Sequence, residues 1–130
     1  MAIMYEVRAK KNPLKPAEPP KFYPAVARGQ MITTRQLAEQ IAGSSTVSRA
    51  DVLAVLASAS EMILQHLKNS NSVRLDDLGI LHPTIKGIPA NTEAEFDVKK
   101  NIKEVKIRFT PAAAMKKAVQ DATFEKVSIQ

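Results

Sequence analysis

The sequence predicts an α+β fold in which two helices lead into an antiparallel sheet, with a β-stranded extension ahead of them. Two capped helix patterns lie between residues 33 and 68, and strand-like alternation of apolar and polar residues recurs at 3–9 and 102–109. A chain of 130 residues can bury a core but is short for two full domains. We therefore expect an extension over residues 1–32 and a main domain, with a C-terminal tail, over residues 33–130.

The extension is predicted to form two strands separated by a stiff loop. Residues 3–9 alternate, with Ile3, Tyr5 and Val7 on one face. The next segment, KKNPLKPAEPPK, holds four prolines, which exclude a helix or a central strand and indicate an exposed loop of polyproline character. Residues 22–28 form a second short strand, and Pro24 places it at a sheet edge. We expect the two strands to pair antiparallel.

Two helices follow the extension. Thr33 or Thr34 caps the first, which Gly43 ends. Ser48 caps the second, which runs to about Lys68. The apolar surface of the second helix is wider than one neighbouring helix needs, which indicates burial on two sides. A second copy of the chain is one way to cover it, and the N-terminal hairpin of the same chain is the other.

The remaining segments are read as strands around a charged connection. The segment 73–80 is a strand pair or a bent strand, and Gly79 lies where a strand must bend or another backbone must come close. Residues 84–101 fit either a long hairpin or a partly mobile loop. Residues 102–109 alternate clearly. We expect Thr110 and Pro111 to begin a last helix as its cap and first residue, and residues 122–130 to form a short strand.

Composition and motifs exclude most kinds of enzyme. The net charge of +6 and the pI near 9.7 indicate a polyanionic partner, although residues 1–30 alone carry six Lys or Arg against two Asp or Glu. There is no cysteine, no P-loop, no dinucleotide fingerprint and no nucleophile elbow, and the two histidines lack zinc-site spacing. We expect no catalysis, no metal, no cofactor and no small-molecule substrate.

The sequence also points to a cytoplasmic protein. The N-terminus lacks the apolar core of a signal peptide, and no apolar run approaches the roughly 20 residues that span a bilayer. We therefore expect no membrane partner.

Three segments carry a resemblance to a known family. LAEQIAGSSTVSRADV, VRLDDLGIL and VKIRFTPAAAMKKAV resemble the HU/IHF family of bacterial histone-like DNA-binding proteins, and the extensions resemble its longer Bacteroidetes-type branch. The resemblance covers about residues 33–120. It implies an IHF-like homodimer of the nucleoid, with helices below a β-saddle and two arms that embrace the minor groove of double-stranded DNA with little sequence preference. It also implies a proline at each arm tip that bends the duplex.

Candidate DNA contacts come from the resemblance together with the strand alternation. Lys106 and Arg108 are the best of them, because alternation with apolar residues fixes the direction of their side chains. Any one of these charges can instead be merely solvated. Pro89 is the candidate wedge, with a turn proline as the alternative. The full set on the predicted saddle, arm and last helix is Lys86, Lys99, Lys100, Lys103, Lys106, Arg108 and Lys116, and a second cluster in the extension is Arg8, Lys10 and Lys11.

The predicted arm departs from the family in composition. Where the family has a basic arm with an Arg-Asn-Pro tip, this chain has GIPANTEAEF, and Glu93, Glu95 and Asp97 would repel phosphates. An alternative function follows: an HU-like dimeric structural or interaction module with weak or lost DNA binding.

Overall fold

The computed structural model describes residues 2–127, which form six strands and four helices. In chain order these are β1 (Ala2–Lys10), β2 (Lys21–Val26), α1 (Thr34–Gly43), α2 (Arg49–Lys68), β3 (Val73–Leu75), β4 (Gly79–Gly87), α3 (Val98–Asn101), β5 (Ile102–Pro111), α4 (Ala113–Gln120) and β6 (Thr123–Lys126). The chain divides into two compact units. The first, called the terminal unit, takes both chain ends, up to Ile32 and from Ala118; the second, called the central unit, is Thr33–Lys117.

A three-stranded sheet in the order β2-β1-β6 forms the terminal unit. The antiparallel pairing of β1 with β2 was predicted, and it runs from Tyr5 opposite Val26 to Lys10 opposite Lys21. Strand β6 lies on the other side of β1 and runs parallel to it, with Ala2 opposite Thr123. The strand predicted for the tail is thus present at Thr123–Lys126, while residues 128–130 of that prediction lie outside the described residues.

Helix α1 is held at its start by a reciprocal capping box. The Gln36 backbone N–H donates to the Thr33 hydroxyl at 3.2 Å, and the Thr33 backbone N–H donates to the Gln36 side-chain oxygen at 2.9 Å. Thr33 is therefore the cap. At the other end Gly43 still belongs to the helix, and Ser44 is the C-cap, with its backbone N–H on the Gln40 carbonyl at 3.2 Å. The helix therefore ends at Gly43, as predicted.

Helix α2 begins where its cap predicts and leaves much of its apolar surface open. The Asp51 backbone N–H donates to the Ser48 hydroxyl at 3.2 Å. Only Val52 and Leu67 are buried on this helix, whereas Val55 is 65% exposed and Met62 is 56% exposed. The broad apolar face expected from the sequence is therefore present and uncovered in the described chain.

Helix α2 also bears on the expectation of no membrane span. Among residues 2–127 it is the one helix long and apolar enough, by length and composition, to cross a bilayer. The helix is not a run of apolar residues, because Ser58, Glu61 and Gln65 interrupt it. The expectation of no membrane partner stays a prediction. A core helix of a soluble protein passes the same test.

The central unit contains a second antiparallel sheet, in the order β3-β4-β5. Strand β3 ends at Leu75, and a short turn leads into β4 at Gly79, so the segment is a strand pair and not one bent strand. Gly79 has φ 155°, and a Cβ there would collide with the Thr110 carbonyl and lie 2.8 Å from the Phe109 ring. The predicted close approach of another backbone is that of β5.

The start of the last helix differs from the prediction. Pro111 is the final residue of β5, paired with Gly79, and α4 begins at Ala113. The Ala112 N–H donates to the Leu78 carbonyl at 2.9 Å, which keeps the chain on the sheet for two residues longer than expected. A proline after a threonine is common at a helix start, but here the backbone pairing made possible by Gly79 takes precedence over that local preference.

Candidate nucleic-acid interface

Strands β4 and β5 form a two-faced ribbon. Across the register, Leu81 lies opposite Phe109, Pro83 opposite Ile107 and Ile85 opposite Val105, and these pairs make one apolar face. The residues between them point to the other side. The opposite face consists of His82 with Arg108, Thr84 with Lys106 and Lys86 with Glu104. We call these six residues the polar face of the ribbon.

The polar face brings three of the predicted contacts into one row. Lys86, Lys106 and Arg108 are exposed and lie at successive pairs along the ribbon. Glu104 is the carboxylate of this row, and its oxygen lies 3.5 Å from the Lys106 ammonium group. Both side chains are about half exposed, so this ion pair is weak and leaves Lys106 able to turn to a phosphate.

A polar recess of about 370 Å³ lies at the base of the ribbon, beside Arg108. Its wall carries the hydroxyls of Ser72, Thr84 and Thr110, and the Ser72 oxygen lies 3.1 Å from Nδ1 of His82. Hydroxyls and a guanidinium can together donate several hydrogen bonds to phosphate oxygens. Sequence reasoning missed these uncharged residues. Their signal is the cross-strand register, which places His82 and Thr84 beside the cations.

The arm, residues 84–106, ends in an ordered cap that is built around one amide. Asn101, which is buried, accepts the Asp97 backbone N–H on its side-chain oxygen at 2.9 Å and donates its NH₂ to the Ile88 carbonyl at 2.8 Å. The Ile88 N–H returns to the Asn101 carbonyl at 2.8 Å. Gly87 fits here because a Cβ would collide with that same carbonyl. The segment that the sequence left ambiguous is therefore a ribbon with a hydrogen-bonded end.

Among the charged residues at the end of the arm, Asp97 has a structural role. Its carboxylate accepts the Lys99 backbone N–H at 3.0 Å and thereby caps α3. Glu93 and Glu95 are exposed in the preceding turn. Lys99 and Lys100 lie on α3 and are not among the strand pairs that make the polar face.

Pro89 lies in an apolar arm end. It is exposed and follows Ile88, which is 51% exposed, while Phe96 and Val98 on the far side of the turn are also largely exposed. An apolar side chain at such a tip is the kind of group that wedges between base pairs in minor-groove complexes.

The remaining candidates are scattered. The register shifts at Gly87, which pairs with Ile102 while Lys86 pairs with Glu104, so Lys103 is the extra residue of a β-bulge. Alternation consequently does not assign Lys103 to the polar face. Lys116 is exposed on α4. Arg8, Lys10 and Lys11 belong to the terminal unit, where they line a cleft.

Comparison with protein families gives one match that spans nearly the whole chain. A model described as "HU domain fused to wHTH, Ig, or Glycine-rich motif", called HU-HIG, matches residues 1–126. The chain belongs to the HU-HIG family. No curated protein matches it. The family and the fold are those of an architectural DNA-binding domain and not those of an enzyme class.

Two solved structures show that the HU-HIG chain has the HU/IHF-like fold. A candidate bacterial DNA-binding protein from Bacteroides vulgatus matches with a TM-score of 0.65 and 15% identity, over 98% of this chain and 50% of that one. HU from Anabaena, crystallised with DNA, matches with a TM-score of 0.53 and 15% identity, over 68% of this chain and 98% of that one. The HU-HIG chain thus spans half the length of the Bacteroides protein and nearly all of the Anabaena one.

Proposed function

We propose that this HU-HIG chain is a nucleoid-associated, histone-like protein of the bacterial cytoplasm that binds double-stranded DNA with little sequence preference. The observation that carries the proposal is the polar face of the ribbon, where Lys86, Lys106 and Arg108 stand in one row beside a recess lined by hydroxyls. Cations and hydroxyls bind phosphates, which are the same in every sequence. The DNA in the Anabaena HU crystal supports the choice of partner.

We further propose that the arm bends the duplex. The hydrogen-bonded cap supports this because a wedge needs a rigid mount, and Pro89 lies at its exposed apolar end. Inserting an apolar group unstacks a base step, and the bent duplex then meets more of the protein surface. Lys99, Lys100 and Lys103 near the cap would hold the phosphates on either side of the bend.

We propose that the active form is a homodimer. Exposed apolar residues on α2 and on the apolar face of the ribbon, including Val55, Met62 and Ile107, support this proposal. A soluble chain rarely leaves so many large apolar side chains in water. Burial in a dimer is also the function we assign to the apolar surface of α2, in place of a membrane span.

The proposed domain plan assigns DNA binding mainly to residues 33–130. Residues 1–32 are an extension whose Arg8, Lys10 and Lys11 add positive charge, and Lys116 contributes from α4. No catalytic activity, metal or cofactor forms part of the proposed function.

Charge reversal on the polar face tests the proposed site. The variant Lys106→Glu/Arg108→Glu should bind a 30-base-pair duplex at least about a hundredfold more weakly than the parent, because each chain loses two phosphate contacts and gains two repulsive charges. Fluorescence anisotropy on duplexes of several unrelated sequences gives the affinity. The loss should be the same for every sequence.

A matched control separates the site from overall charge. The variant Arg35→Glu/Lys68→Glu makes the same change in net charge on exposed residues of the helices and should stay within about threefold of the parent. Equal losses in both double variants would show that binding follows net charge alone and would refute the assignment of the polar face.

A second function is favoured by the acidic turn of the arm. Glu93 and Glu95 are exposed, and Glu104 lies within the row of cations, so the chain could serve as a dimeric structural or interaction module with little affinity for DNA. The two functions differ in the salt dependence of duplex binding, which is steep for the first and nearly absent for the second.

A further inference from the structure

The terminal unit carries a cleft of about 540 Å³ that has no role in the proposed binding of duplex DNA by the ribbon. It lies along β1, β2 and the proline-rich loop that joins them. Its wall includes Arg8, Lys10, Lys11, Lys21, Glu18 and Tyr23. This volume is in the range of pockets that hold small ligands or single groups of a polymer, about 300–1,000 Å³. We call it the N-terminal cleft.

The strand register concentrates cations on the cleft side of the hairpin. Lys10 lies opposite Lys21, and Arg8 lies opposite Tyr23, two pairs along the same face. Lys11 follows at the start of the loop. The tyrosine is thus placed beside the cations by the sheet itself, and not by a flexible loop.

Most of the positive charge in the N-terminal cleft is uncompensated. Glu18, the carboxylate in its wall, pairs with Lys15 at 3.6 Å, and Arg8 pairs with Glu6. Within the described part of the chain, no ion pair engages Lys10, Lys11 or Lys21. Three free ammonium groups around one concave surface attract a polyanion.

The rest of the wall indicates which polyanion. Tyr23 is 48% exposed, and Pro13 and Pro19 add flat apolar surface nearby. Binding of a phosphate alone does not require an aromatic ring. Proteins that bind single-stranded nucleic acids combine a positive groove along the backbone with an aromatic ring on which a base stacks. In a duplex the bases are stacked inside the helix, so only phosphates would reach such a cleft.

We propose that the N-terminal cleft binds single-stranded nucleic acid, with phosphates at Lys10, Lys11 and Lys21 and a base stacked on Tyr23. This site is separate from duplex binding by the polar face and does not depend on it. An acidic peptide would use the lysines but would leave the tyrosine and proline surfaces without a flat partner.

Binding of labelled oligo(dT) of 12 nucleotides, measured by fluorescence anisotropy over a salt series, tests the proposal. Three phosphate contacts predict a slope of log affinity against log salt of about −2. The variant Lys10→Glu/Lys21→Glu should lose at least about tenfold in affinity. The control Arg28→Glu/Lys126→Glu, with the same charge change on exposed residues of the same unit outside the cleft, should stay within about twofold.

Tyrosine supplies a direct readout of stacking. The chain has two tyrosines and no tryptophan, so Tyr5→Phe leaves Tyr23 as the sole strong emitter. Oligo(dT) should quench that emission. Tyr23→Leu should weaken binding about tenfold, and Tyr23→Phe, which keeps the ring, should not.

The results of these binding experiments support or refute each part of the proposal. The site is refuted if the Lys10→Glu/Lys21→Glu variant, or the milder Lys10→Gln/Lys21→Gln, binds oligo(dT) like the parent with an unchanged circular dichroism spectrum. Absence of quenching, or displacement of oligo(dT) by poly-glutamate at equal charge concentration, would refute recognition of a base. Retention of oligo(dT) binding by Lys106→Glu/Arg108→Glu supports an independent site, so failure of the duplex proposal and failure of this one are distinguishable.

Discussion

Gly79 is the residue that lets β5 run alongside β4 as far as Pro111. Its φ of 155° is a backbone conformation that residues with side chains rarely adopt, and the space where a Cβ would lie is already taken by the Thr110 carbonyl and the Phe109 ring. Backbone atoms cannot move aside as a flexible side chain can. The ribbon therefore depends on glycine at this position for its alignment.

Replacement of Gly79 by alanine should destabilise the protein by at least about 2 kcal/mol, because the new methyl group meets backbone and the φ angle is unfavourable. Urea unfolding followed by circular dichroism gives the difference. Gly43→Ala is the control, since nothing lies within 4 Å of its Cβ position and it belongs to α1, so alanine should be neutral or stabilising by up to about 1 kcal/mol. Equal stability of the two variants would contradict the packing described for Gly79.

Residues whose role is set by near neighbours in the chain were predictable. Thr33 and Ser48 cap helices through bonds to backbone N–H groups three residues ahead. A close backbone approach was one of two alternatives expected for Gly79, although its partner, Thr110, is distant in the chain. Pro111 was predicted wrongly because its local preference for a helix start competes with sheet pairing. His82 and Ser72 were missed because only the folded register brings them beside Arg108.

Among the elements, the arm was the least predictable from sequence. Its strands alternate well, but its end mixes prolines, glycine and charges, and the order there depends on one side chain, Asn101, that joins residues 13 positions apart. The parallel pairing of β6 with β1 likewise joins segments near the two ends of the chain. No local sequence pattern predicts that β6 pairs with β1. Long-range pairings of this kind are set by the fold as a whole.

Asn101→Ala should loosen the arm cap while leaving the rest of the protein intact. The variant loses both side-chain hydrogen bonds, worth about 1–3 kcal/mol for buried groups, so exchange of the Asp97 amide hydrogen should accelerate at least about tenfold. Exchange measured by NMR tests this. Asn91→Ala, in the exposed turn of the same arm, should leave the exchange rate unchanged. Unchanged exchange at Asp97 in Asn101→Ala would show that the cap is held by other contacts.

For the whole molecule, the main physical problem is uncovered apolar surface. Among the described residues, only three apolar side chains are buried: those of Ala38, Val52 and Leu67. A core of this size cannot offset the conformational entropy lost on folding. The sequence alone predicted that the apolar face of α2 is wider than one neighbouring helix can cover. It did not show which surface covers that face.

A charge on the exposed apolar surface of α2 should disrupt the proposed dimer. Sedimentation equilibrium should give twice the chain mass of 14.2 kDa for the parent and a shift towards the single-chain mass for Val55→Glu. Gln65→Glu adds the same charge on the polar side of the helix and should leave the dimer unchanged. A parent protein that sediments as a monomer at micromolar concentration would contradict the proposed dimer.

The salt dependence of duplex binding tests the central claim most directly. Lys86, Lys106 and Arg108 from two chains give six phosphate contacts, so log affinity for a linear duplex should fall against log salt with a slope of about −5. A nicked or pre-bent duplex should bind more tightly than a linear one, because the cost of bending has already been met. Weak binding with a flat salt response and no preference for the bent duplex would contradict the account and would favour the structural module in its place.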